Sequence, residues 1–135
     1  MRDVKEIGYE IRLEAPIAEA RERVGEALAA AGFGVLTEID VQSTLREKLG
    51  VESGAYQILG VCNPQLAHRA LEEDPDVGLL LPCTVTLRAD DAGTLVSWLR
   101  PEAALGLIGA PSLAEIAGEA ERRLNLALSP LEDGS

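Results

Sequence analysis

The chain is poor in the side chains on which most catalytic and metal sites are built. In 135 residues it has one histidine, His68, and two cysteines, Cys62 and Cys83. No His-Glu-x-x-His motif is present, and these three residues fall one short of a four-ligand structural zinc set. No Gly-x-Ser-x-Gly elbow accompanies the single histidine, so a Ser-His-Asp hydrolase has no nucleophile turn. Neither a Gly-x-Gly-x-x-Gly turn after a strand nor a Gly-Lys-Ser/Thr phosphate loop occurs. Aromatics are scarce as well: Tyr9, Phe33, Tyr56 and Trp98 are the full set, which disfavours a base-stacking surface. Basic residues number 12 against 23 acidic ones, for a net charge of −11. They form no stripe and are interleaved with glutamates, as over residues 19–26. Without a basic footprint, neither nucleic acid nor an anionic membrane surface is an expected partner.

Long apolar runs are missing too. None approaches the length of a membrane-spanning helix, and residues 1–6 lack the apolar segment of a secretory signal. The expectation is a cytoplasmic protein whose two cysteines are thiols at rest. The acidic groups Glu72-Glu73-Asp74 and Asp90-Asp91 read as a helix end and a turn.

What is present is an ordinary globular composition, 47% hydrophobic and 26% charged, at a length that suits one domain. Residues 7–13 alternate Ile7, Tyr9, Ile11 and Leu13 with polar positions, the period of a half-buried strand. Pro16 opens a helix with Ala20, Val24 and Leu28 on its apolar face, and Gly32 closes it. Residues 33–40 read as a strand with Phe33, Val35 and Ile39 on one side. Asp40 then caps a short helix striped by Val41, Leu45 and Leu49 and ended by Gly50. Residues 55–62 form a central strand, and Asn63-Pro64 begins a helix whose buried face is Leu66, Ala67, Ala70 and Leu71. A strand over 83–88, a turn at Asp90–Gly93 and a return strand over 94–99 make a hairpin. Ser112 and Glu115 fit a capping box at the start of a last helix reaching Leu128, and residues 129–135 read as a frayed tail. The order β-α-β-α-β-α-β-β-α with a late hairpin predicts one α+β domain over residues 1–128, its sheet antiparallel or mixed and packed by helices.

Two places stand out. Cys62 ends the central strand, directly before the Asn63-Pro64 helix start, where free N–H groups and the dipole favour a thiolate. His68 follows in that helix, and Cys83 begins the next strand. If the two strands run antiparallel, the thiols lie at the same end of the sheet. Cys62, Asn63, His68 and Cys83 are therefore the candidate ligand-binding residues, for a small molecule or a metal. The second place is the apolar, glycine-containing stretch 103–111, in which Leu105, Leu107 and Ile108 are candidate homodimer contacts.

Residues 33–41, Glu47–Gly50, Tyr56–Pro64 and Gly78–Cys83 carry a resemblance to a known family. With their Cys-Asn-Pro and Leu-Leu-Pro-Cys motifs, they resemble the prokaryotic family called domain of unknown function 302, over about Tyr9 to Pro101. Thr84 stands where the family typically has asparagine. The resemblance implies a small, self-associating α+β domain in which Cys62, Asn63, Pro64 and Cys83 belong to the shared pattern. It implies no particular reaction or cofactor. Three functions follow as expectations: a small-molecule or metal-binding module, a thiol-dependent enzyme or redox sensor, and a self-associating structural protein.

Overall fold

The structure, a computed structural model, describes residues 1–132. It is an α+β fold. Its strands are β1 Arg2–Val4, β2 Gly8–Leu13, β3 Gly34–Asp40, β4 Tyr56–Cys62, β5 Cys83–Asp90 and β6 Gly93–Leu99. They form one sheet in the order β1-β2-β6-β5-β4-β3, every neighbouring pair antiparallel. The helices are α1 Ile17–Ala30, α2 Val41–Leu49, α3 Pro64–Glu73, α4 Pro101–Gly106 and α5 Pro111–Leu128, with 3-10 turns at Pro75–Leu80 and Ser129–Leu131. None of the described helices is long and apolar enough to cross a membrane.

Strand alternation builds the core. Ile11 lies opposite Val96, Val96 opposite Leu87, and Val85 opposite Leu59, so one face of the sheet is aliphatic across four strands. Val24 and Leu28 of α1 and Leu124 and Leu128 of α5 cover that face, all fully buried. Burying each such side chain contributes about 1.5–3 kcal/mol relative to leaving it in water. A second, smaller apolar cluster lies beyond the sheet. It joins Leu66 and Ala70 of α3, Val77, Leu105 of α4, and Leu113, Ile116 and Ala117 of α5.

Helix boundaries follow the sequence signals closely. The Asp40 side chain accepts the Ser43 N–H, and Gly50 closes α2 in the left-handed region at φ 66°. Gly32 does the same after α1 at φ 88°. The Asn63 Oδ1 accepts the Leu66 N–H at 3.2 Å, with Pro64 in the first turn.

Several expectations need correction. Ile7 lies outside β2 and is exposed. β3 carries a bulge between Val35 and Thr37. The extra residue reverses the alternation, so Val35 packs on the core while Ile39 is exposed on the other face. α2 buries no residue at all, so its caps and not its apolar stripe define it. The Ser112–Glu115 capping box does not form: α5 starts one residue earlier, with Pro111 in its first turn. The stretch 103–111 is not one loop, since its first part belongs to α4. Within the segment 129–135, Glu132 receives the Met1 amino group at 2.6 Å and the Arg12 N–H at 3.2 Å. Residues 133–135 of the expected tail lie outside the described residues.

Candidate functional site: an apolar cavity at the end of the sheet

The β4–β5 register is what brings the two cysteines together. Val61 lies directly opposite Cys83, so the end of β4 and the start of β5 meet at the same end of the sheet. Both thiols, together with Asn63, line a cavity of about 40 Å³ between the sheet end and the second apolar cluster. Phe33 and Val61 come from the main core. Leu66, Ala67 and Ala70 come from α3, Leu105 from α4, and Ile116 and Ala120 from α5. Among the described residues, no charged side chain lines it.

Burial sets the chemistry of the thiols. It pushes the Cys83 pKa up from 9.0 to about 11, and the neighbouring Cys62 adds to the rise. Burial also raises Cys62. The expected helix-start activation of Cys62 is therefore reversed. The Asn63 side-chain oxygen already takes the Leu66 N–H, and desolvation of the thiol outweighs what remains of the dipole. Both sulfurs are free and, at neutral pH, protonated. A protonated thiol is a small, weakly polar lining group and a poorer nucleophile than a thiolate.

His68 does not join them. The buried face of α3 is Leu66 and Ala70, and a residue two positions from each points to the opposite side of the helix. The His68 side chain is 74% exposed and its Nε2 meets Glu72 at 3.0 Å. Among the described residues no three His, Cys, Asp or Glu side chains are grouped to hold a metal. Of the other sequence candidates, Leu105 is buried against the cavity, Ile108 is half-buried against the second cluster, and Leu107 is 80% exposed. The three therefore do not form one exposed contact patch.

A polar network that the sequence reading missed holds α4 beside the cavity. Glu121 of α5 is buried, yet it accepts the Tyr9 hydroxyl at 2.6 Å and the Glu102 N–H at 3.1 Å. The Arg100 Nε lies 3.5 Å from the same carboxylate, and its guanidinium carbon sits 5.1 Å from the centre of the Tyr9 ring. The hydrogen bond to Glu121 raises the Tyr9 pKa, with burial adding to it. Nearby, the Trp98 indole donates to Asn125 at 2.9 Å. The available signal was positional: Glu121 sits four residues after Ala117 and three before Leu124, on the apolar stripe of α5.

Fold and cavity together define a small antiparallel α+β protein with an apolar, thiol-lined pocket at one sheet end. The family model for domain of unknown function DUF302 matches residues 9–131. The chain belongs to that family. Among solved structures it is similar to the uncharacterized conserved protein DUF302 from Bacillus stearothermophilus, at 35% identity and a TM-score of 0.88, covering 94% of this chain and 99% of that one. No curated protein matches the chain.

Proposed function

We propose that the protein is a small-molecule-binding module that takes an apolar group into the cavity between Cys62, Cys83 and Leu105. The observation that carries this reading is a void without charged lining, walled by two protonated thiols and aliphatic side chains. Such a space favours burial of hydrocarbon and disfavours an ion. The raised thiols argue against the redox and nucleophile readings, and the outward position of His68 argues against the metal reading. Two neighbouring thiols in the free state fit a reducing, cytoplasmic compartment.

The test is a titration of ¹⁵N-labelled protein with n-butanol, followed by amide chemical shifts. The expected result is saturable shifts confined to the amides around Cys62, Leu66, Cys83 and Leu105. Ala70→Leu, which fills the cavity, should remove them, and Cys83→Ala, which enlarges it, should retain them. Shifts that stay linear and scattered over the surface in the parent protein would overturn the reading.

A further inference from the structure

One side chain breaks the apolar lining of the cavity. Among the described residues that line it, Asn63 alone carries a strong hydrogen-bonding group; the other side chains are hydrocarbon, apart from the two thiols, which donate and accept weakly. Asn63 is 7% exposed. Its Oδ1 accepts the Leu66 N–H at 3.2 Å and so starts α3. That cap fixes which end of the amide is the oxygen, and it leaves the two Nδ2 protons unused. The Nδ2 lies 3.2 Å from the point where a Cβ on Gly32 would stand, next in the chain to Phe33 of the cavity lining. It donates to none of the described residues. The described side-chain atoms that are both sealed from solvent and without a partner are Ser53 Oγ, Gln57 Oε1 and Arg100 Nε, so the Asn63 Nδ2 keeps a reachable surface.

A largely buried amide N–H without an acceptor is costly, and the cavity offers it little. A water placed there finds one strong partner, rather than the roughly three that hold an internal water. A ligand hydroxyl could accept from Nδ2, but its own proton would then face only thiol sulfurs and hydrocarbon. A carboxylate would be a charge in an apolar surround. A carbonyl oxygen accepts and brings no proton of its own, so it satisfies the amide and leaves nothing unpaired. Size agrees with this. At the roughly 10–15 Å³ that one water-sized sphere occupies, 40 Å³ admits roughly three heavy atoms, enough for the carbonyl oxygen, its carbon and one flanking carbon.

Resting on the cavity reading above, we infer that the apolar group taken into the cavity carries an uncharged carbonyl, its oxygen accepting from the Asn63 Nδ2 and its hydrocarbon flanks against Cys62, Cys83 and Leu105. Asn63 thus serves two ends with two atoms: the oxygen starts the helix and the nitrogen selects the ligand.

The experiment compares two probes of one shape, 2-butanone and 2-methyl-1-butene, in which a CH2 group replaces the carbonyl oxygen. Each is titrated by NMR into the ¹⁵N-labelled full-length protein and into Asn63→Ser, whose hydroxyl can still cap α3 but which lacks the amide. In the parent, the ketone should move the Asn63 side-chain NH2 signals downfield and saturably, and the alkene should leave them in place. In Asn63→Ser, the ketone should bind about two- to tenfold more weakly, the equivalent of one neutral hydrogen bond, with alkene affinity unchanged. The NH2 signals of the parent decide the matter on their own if the variant does not fold. If both probes bind around Cys62 and Cys83 but the ketone leaves the NH2 signals unmoved, or the variant weakens both probes alike, the carbonyl inference fails while the cavity reading stands. If neither probe gives saturable shifts there, both fail.

Discussion

Raising the pH should destabilise this protein through one thiol. In the unfolded chain a cysteine loses its proton near pH 9, whereas in the folded protein Cys83 holds it until about 11. Between those values the native state binds more protons than the unfolded state, so stability falls as pH rises. The contribution is complete below pH 9 and is lost progressively up to about 11. Two pH units at 1.36 kcal/mol each give a total near 2.7 kcal/mol, a large share of the 5–15 kcal/mol by which domains of this kind are stable. The assay is urea unfolding of the parent and of Cys83→Ala at pH 7.5, 9, 10 and 11. The other groups are common to both proteins and cancel in the difference. At pH 7.5 the variant is less stable, because a buried group is gone. By pH 11 the gap should close or reverse, moving about 2–3 kcal/mol in the parent's disfavour. A gap that stays constant across this range would mean that Cys83 is solvated, and the dry cavity would fall with it.

Three further perturbations test the other parts of the structure. Glu121→Ala leaves the Tyr9 hydroxyl and the Glu102 N–H without their acceptor and removes the carboxylate 3.5 Å from the Arg100 Nε, and should cost about 2–3 kcal/mol in thermal or urea unfolding; Glu121→Gln, which keeps an acceptor oxygen, should cost less. Gly60→Ala places a methyl against Thr37 and Pro82 and should cost about 1–3 kcal/mol by overpacking, read from the urea midpoint. His68→Ala removes only an exposed pair with Glu72 and should stay within about 0.5 kcal/mol of the parent with unchanged butanol shifts; loss of those shifts would restore His68 to the site.

The sequence made the fold class and most element boundaries readable because these depend on local chemistry. Asn63-Pro64, Asp40, Gly32 and Gly50 each satisfy or end a helix through atoms within four residues, and the structure uses all four in that way. The Asp90–Gly93 turn is equally local. What failed depended on distant partners. The bulge in β3 arises only when Val35 and Thr37 are matched to β4, and it moves Ile39 to the opposite face. α4 is anchored by a bond between Glu102 and Glu121, 19 residues apart. The adjacency of Cys62 and Cys83 was conditional on strand direction, which only the sheet order supplies. The position of His68 is different. Two residues from both Leu66 and Ala70, it was readable as outward-facing from spacing alone.

The scarcity of reactive side chains and the form of the pocket have a common explanation. A catalytic thiol needs solvent access and a nearby positive charge, and here both cysteines are partly withdrawn from water into an aliphatic surround with no cation lining the cavity. Among the described residues, the buried carboxylate beside this region is Glu121, whose oxygens accept from Tyr9 and Glu102 with the Arg100 Nε 3.5 Å away, and so is tied up in holding α4. Two leucines and an alanine line the cavity here: Leu105 and Ala104 from α4, and Leu99 from the end of β6. The polar network therefore acts on the pocket at one remove. It fixes the short helix that carries two of these three residues, and a helix of six residues has too few internal hydrogen bonds to hold that position alone. On the proposed binding reading, the position of α4, and with it the shape of the cavity, depends on Glu121 keeping its bonds to Tyr9 and Glu102.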